Sequence, residues 1–266
     1  MAGDKSRYSL FAPTPDRLLR DMSTDRPDMT ESPFTVDAGR VQVETNLFGY
    51  ARSHADDAGA VTQAYEFATT NIRVGLTSST EINFVWTPYG KARTRQPGIA
   101  PLTDSGAGGF DIRGKVNLWG NDTFEHDGSA LALLPFVTLP TDRDNGISPE
   151  FVEGGLIVPL AIALPYGFGL GINGGVVWIK DDDISGYHRE YLATAAVSYE
   201  WTDKIGTYYE IAATFNTGEL RDEAVILATG ITYAVTDNLQ LDAGINFGVT
   251  DAADRFNPFV GVSQRF

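Results

Sequence analysis

Downstream of residue 39 the sequence alternates apolar with polar residues one by one, in segment after segment. A period of two belongs to a β-strand whose two faces meet different surroundings. In Leu239 to Val249, the residues Leu239, Leu241, Ala243, Ile245, Phe247 and Val249 share one face, while Gln240, Asp242, Gly244, Asn246 and Gly248 share the other. Phe110, Ile112, Val116 and Leu118 separate in the same way from Asp111, Arg113, Lys115 and Asn117. Comparable segments run over Val41 to Phe48, Gln63 to Leu76, Glu81 to Tyr89, Ser129 to Leu139, Phe151 to Leu164, Phe168 to Lys180, Arg189 to Glu200, Ile205 to Asn216, Glu223 to Val235 and Phe256 to Phe266. That makes about twelve, with a margin of two because the alternation is ambiguous in the Gln63 and Ser129 segments, where either a bulge or a solvent-exposed upper half would shift the face.

The stretch from Gly154 to Ile179 carries no charge and would pass for a membrane helix on hydropathy. Pro159 and Pro165 interrupt it and five glycines between Gly167 and Gly175 weaken it further, so two strands joined at PYG fit better. Connections are short after Leu76, Leu118, Leu164, Glu200 and Val235. They are longer and more polar around Asp56, Arg95, Asp142, Asp181, Glu219 and Asp251. Short turns at one end and long loops at the other describe an all-β, antiparallel up-and-down barrel, with segments long enough to cross a bilayer as tilted strands.

In a soluble barrel the apolar faces point inward; in a membrane barrel they point outward. The polar faces mix both charge signs, which suits a wet lumen, and the expected lining is Glu44, Arg73, Glu81, Asp111, Arg113, Lys115, Glu190, Glu200, Glu210, Asp242 and Arg265. Phe84, Trp86, Trp119, Phe168, Trp178, Tyr199, Trp201, Tyr233 and Phe256 sit near segment ends, where interfacial girdles form, although core aromatics at sheet ends would look the same. The chain ends in Phe266 with Val262, Val260, Pro258 and Phe256 at even offsets, like the C-terminal signature that outer-membrane barrels present to their insertion machinery; Gln264 departs from the pattern. The competing reading is a soluble β-barrel that binds a hydrophobic ligand.

Composition narrows the functions. With 35 acidic against 20 basic residues and a net charge of -15, a basic face for nucleic acid is not expected. There is no cysteine, so thiol catalysis and Cys-based zinc sites are excluded, and His54, His126 and His188 are the only imidazoles. The start, MAGDKSRYSLFAP, holds no apolar core of a secretory signal, so a cytosolic start and a leader already removed both fit.

Residues 23–44 read STDRPDMTESPFTVDAGRVQVE. The pattern TDRPDxTESPxTVxxGxxQxE resembles the start of the outer-membrane proteins assigned to transport in the phenol-degradation meta-cleavage pathway, and the resemblance extends loosely over 24–266. It implies a signal-bearing precursor, a mature barrel of a Gram-negative outer membrane, and passage of small, aromatic or hydrophobic compounds. Read from the residues, Pro27 and Pro33 forbid regular structure and Asp25, Arg26, Asp28 and Glu31 place opposite charges close together, as in an ordered polar turn. Upstream, Thr14 is placed to cap a short helix with Pro15 in its first turn, ending near Met22. An even strand number puts both chain ends on the periplasmic side. Residues 1–38 are therefore expected to fold into the barrel of residues 39–266 as a partial plug, with Arg17, Arg20 and Arg26 as the cations expected to hold it there, or to hang as a loose tail.

Enzymatic readings are weaker. A barrel hydrolase needs His within reach of Ser, and only Ser185 near His188 comes close, with no GxSxG elbow in the chain. Asp181 to Asp183, Asp142 with Asp144, and Asp56 with Asp57 lack the spacing of a defined calcium loop, although such acids can gather divalent cations that bridge to lipopolysaccharide. No catalytic residue, metal or cofactor is expected. The partners expected are membrane lipid and lipopolysaccharide, the barrel-insertion machinery and small solutes, in a channel of the outer membrane.

Overall fold

The computed structural model describes residues 4–180, 186–217 and 223–266. Its strands are β1 (Val41–Arg52), β2 (Val61–Gly75), β3 (Thr80–Trp86), β4 (Tyr89–Arg95), β5 (Leu102–Gly106), β6 (Phe110–Trp119), β7 (Ser129–Leu139), β8 (Glu153–Ala163), β9 (Phe168–Ile179), β10 (His188–Thr202), β11 (Ile205–Asn216), β12 (Glu223–Thr236), β13 (Leu239–Gly248) and β14 (Asn257–Arg265). Every neighbour pair is antiparallel, and β1 closes the ring by pairing with both β14 and β2.

The fourteen segments amount to twelve staves. β3 pairs with Thr70–Gly75 of β2 and β4 with Val61–Phe67, so they are one stave broken at Thr87 and Pro88. Pro88 cannot donate to a ladder, which accounts for the break. The next stave, β5 followed by β6, breaks opposite at 107–109, where Gly108 N still donates to Thr87 O at 2.8 Å. The polar loop expected around Arg95 is thus mostly strand, leaving 96–101 as the turn. Its period-two signal is hidden because the outward positions of β4 are Lys91, Arg93 and Arg95 rather than apolar residues.

Two other expectations are corrected. The connection after β6, expected to be short, runs over 120–128 and holds one helical turn, α1 (Phe124–Asp127), ended by Gly128 at φ 71°. The helix expected from Thr14 to Met22 is only a 3₁₀ turn, Asp16–Leu18. Pro15, which has no side-chain acceptor, occupies the cap position, and the following chain is drawn away because Arg20 N donates to Asp37 Oδ2 at 2.9 Å.

The faces are inverted relative to a soluble barrel. Ile72, Ile211, Leu227, Ile231, Leu241, Phe247 and Val260 are exposed on the outside, while Gln42, Glu44, Arg73, Glu81, Lys115, Asn173, Glu210, Asp242 and Ser263 are buried inside. In water such an exterior would be unstable; against acyl chains it is the favoured arrangement. Aromatic residues gather at both rims. At the turn end Phe168, Tyr199 and Trp201 contact one another in sequence, tilted and then edge to face, with centroids 4.7 and 4.9 Å apart, as expected of a girdle. This is a transmembrane β-barrel.

Candidate functional site in the lumen

Strand register assembles the interior. Gln42, Arg73, Asn83 and Arg113 are successive partners across β1, β2, β3 and β6, and Glu81 faces Lys115 one row away. Arg73 and Lys115 are both fully buried, at 0% exposure. Arg73 Nη1 lies 2.8 Å from Glu44 Oε1, and its Nε donates to Glu81 Oε1 at 3.0 Å. Lys115 Nζ is 3.5 Å from the same Glu81 oxygen. Buried charges require such pairing, because leaving one uncompensated costs several kcal/mol.

The N-terminal segment supplies the rest. Asp25 accepts from Lys115 Nζ at 2.6 Å and lies 3.3 Å from Arg73 Nη1, so a carboxylate from outside the wall joins two wall cations. Its backbone is held as firmly: Glu44 accepts from Asp25 N and Arg26 N, Glu81 from Val36 N, Ser23 O accepts from Gln42 and Arg73, and Phe34 O from Arg73. Across the lumen, Arg26 pairs with Asp242 at 2.7 Å and Thr30 Oγ1 donates to Glu210 Oε1 at 2.6 Å. Arg113 joins Glu31 and Asp111 at 2.8 and 2.6 Å, and Asn173 Nδ2 donates to Glu31 O. With Thr30 Oγ1 also hydrogen-bonded to Thr194 Oγ1 at 2.7 Å, residues 23–36 bond to β1, β2, β3, β6, β9, β10, β11 and β13. Two wall glycines make the room: a Cβ on Gly261 would sit 2.2 Å from the Arg26 guanidinium, and one on Gly75 would sit 2.1 Å from Asp37 O.

A second cluster closes the turn end. Asp122, in the connection after β6, lies 2.8 Å from Arg20 Nε and 2.9 Å from Lys5 Nζ, and Lys5 also reaches Asp37 at 3.0 Å. Burial alone would push the Asp122 carboxyl up, but hydrogen bonds and charge from Arg20 and Lys5 hold it below the usual carboxylate range. Arg20 also donates to Thr35 O and Ser78 O, tying the segment to the turn between β2 and β3.

The structure brings together Glu44, Arg73, Glu81, Asp111, Arg113, Lys115, Glu210 and Asp242 with Arg20, Asp25, Arg26 and Glu31 through these contacts. Asp28 lies on the stretch that faces Glu210. Arg265 belongs to the turn-end mouth, donating to Arg20 O and Asn238 Oδ1. Three expected members stand apart: Glu190 is near the far end of β10, Glu200 is exposed near the turn end of the same strand, and Arg17 is exposed on the 3₁₀ turn. They keep the parity or sequence neighbourhood of the others but lie too high, too low or too far outside to reach the network. Phe266 is 62% exposed and donates through its N–H to Val41 O. His54 lies 3.8 Å from Asp251, and Asp56 and Asp142 accept from backbone N–H groups of their own loops. The Asp181 to Asp183 run, Ser185 and the His126 side chain lie outside the described residues.

Sequence reasoning missed Lys5, Asp37 and Asp122, whose positions outside the strands carry no periodic signal, and Gln42 and Asn173, which alternation marks as inward once charge is not required.

No curated protein matches the chain by sequence. Among solved structures it is similar to an outer membrane channel of Pseudomonas putida F1, with a TM-score of 0.67, 12% identity, and coverage of 92% of this chain and 100% of that one. It is also similar to the translocator domain of the autotransporter NalP of Neisseria meningitidis, with a TM-score of 0.55, 12% identity and coverage of 85% and 88%. At these identities the likeness concerns the barrel fold. The family described as "Putative MetA-pathway of phenol degradation" matches residues 24–266, the whole barrel together with the motif bound in its lumen, and the chain belongs to that family.

Proposed function

We propose that this protein is an outer-membrane channel that passes small solutes, hydrophobic or aromatic compounds among them, through a narrow barrel partly plugged by its own N-terminal segment. The observation that carries the reading is the bonding of residues 23–36 to eight strands around the lumen. Twelve staves enclose more space than the eight whose side chains fill a barrel, and less than the sixteen or more of wide porins, so a folded segment suffices to restrict passage. The terminal Phe266 is available to insertion machinery, and the family description is the ground for aromatic solutes.

The test is single-channel recording in planar bilayers with the full chain and with a chain lacking residues 1–38. Every strand remains in the shortened chain, so it should insert and show a larger, less gated conductance. Identical conductance in an inserted barrel would make the segment a periplasmic tail. Enzymatic turnover is not part of this reading.

A further inference from the structure

The outward face of β1, β2 and β4 changes character along its height. Phe48, Phe67 and Tyr89 are register partners, all exposed, with ring centroids 5.3 and 6.0 Å apart. One row further from the chain termini the partners are Tyr50, Tyr65 and Lys91, then Arg52, Gln63 and Arg93, then Val61 and Arg95. Directly paired residues share a face, and successive rows are about 6.6 Å apart along the strand, so four cations stand within about 13 Å just beyond an aromatic belt.

These cations have no ion-pair partner among the described residues. None of the four has a carboxylate within 4.0 Å among the described residues, and no outward position of β1, β2 or β4 in these rows is acidic. Asp56, in the loop joining β1 and β2, directs its carboxylate at Ala58 N and Ala60 N. A cleft of about 400 Å³ opens between Arg52, Gln63 and Arg95, and Arg52 Nε is buried without an acceptor. Like charges this close repel, and a chain with 35 acids and 20 bases has no shortage of carboxylates to pair them. A cation row facing outward beyond an aromatic belt is complementary to the phosphate layer of a lipid leaflet.

We propose that Arg52, Lys91, Arg93 and Arg95 form a docking site for the phosphorylated sugar headgroup of the outer-leaflet glycolipid, with its acyl chains lying over the Phe48, Phe67 and Tyr89 row. This rests on the membrane-barrel reading, with the chain termini on the periplasmic side. Arginine suits phosphate because its fork donates two parallel hydrogen bonds, and the Arg52, Gln63 and Arg95 cleft admits a sugar phosphate rather than a flat surface contact.

The test uses the full chain refolded in detergent, titrated by native mass spectrometry with a bis-phosphorylated diglucosamine lipid, the same lipid after phosphate removal, and inorganic phosphate. The parent should bind the phosphorylated lipid, bind the dephosphorylated one far more weakly, lose affinity as salt rises, and be unaffected by millimolar phosphate. Replacing all four cations (Arg52→Gln, Lys91→Gln, Arg93→Gln and Arg95→Gln) should weaken binding about a hundredfold, and Arg93→Gln alone about fivefold. Lys204→Gln at the opposite rim should leave it unchanged. Equal binding of the two lipids, displacement by free phosphate, or parent-like affinity in the fourfold variant would overturn the site. Should the fourfold variant fail to refold, the lipid comparison on the parent and the single variant decide. Conductance of the parent in bilayers without this glycolipid is measured in parallel. A conducting parent that ignores the phosphates refutes the site alone, whereas a parent that never inserts refutes the membrane reading and the site with it.

Discussion

Arg73→Met removes the cation at the centre of the lumen while keeping its length and burial. In the full chain Arg73 meets Glu44, Glu81 and Asp25 and donates to the carbonyls of Ser23 and Phe34, with no exposure to solvent. The substitution leaves Glu44 and Glu81 short of a buried partner, a cost of about 3–5 kcal/mol. In a chain lacking residues 1–38, three of those five partners are gone and water fills the space beside Glu44 and Glu81. The same substitution there removes exposed pairs, worth about 0–1 kcal/mol. The coupling between Arg73 and the segment should therefore be about 2–5 kcal/mol. Urea titrations of the four proteins in lipid vesicles, followed through the rim tryptophans and by gel mobility of unheated samples, measure this double-mutant cycle. Equal costs in both backgrounds would refute the claim that the segment and the wall share one charge network.

Ile245 faces outward on β13 and Asn246 inward, where its amide donates to Asn257 Oδ1 at 3.1 Å. Ile245→Arg should cost roughly 2–4 kcal/mol by placing a charge in lipid, and Asn246→Arg much less, so refolding titrations with the reverse order would turn the barrel inside out. Asp122 is held below its ordinary value of 3.8 in the folded chain, so its contribution is fully present above that value and is lost as pH falls through the lower folded one. Channel recordings should accordingly be steady at neutral pH and show more openings only in strong acid, while Asp122→Asn should show them at pH 7; a pH-independent variant identical to the parent would separate Asp122 from gating. Carboxylates outnumber cations along the inner wall, so reversal potentials should favour cations at low salt and less so as salt rises. Anion selectivity at low salt would count against that assignment.

Some of the lumen was legible because inward positions on regular strands declare themselves. Glu81, Asp111, Arg113, Lys115 and Asp242 each alternate with residues that lipid accepts, so their side of the wall follows from parity. Which of them meet does not follow. Glu190 and Glu200 share the parity of Glu210 yet stay out of the network, because height along a stave and stagger between staves are set by the register of the closed ring. The stave of β3 and β4 shows the same limit from the outside. Its upper half leaves the lipid, its outward residues become Lys91, Arg93 and Arg95, and the alternation that betrays a strand disappears although the pairing to β2 continues.

What the sequence determined by itself is the local term: which residues alternate, where prolines and glycines interrupt, and which end of each hairpin is short. Those preferences act over two to four residues and need no partner. The tertiary structure alone decided that Lys5, Asp37 and Asp122 form one clamp, and that Asp25 lies between Arg73 and Lys115. Lys5 and Asp37 are 32 positions apart in the chain, and Asp25 and Lys115 are 90. The strength of these contacts comes from exclusion of water, a property of the closed barrel with its segment inside rather than of any stretch of chain.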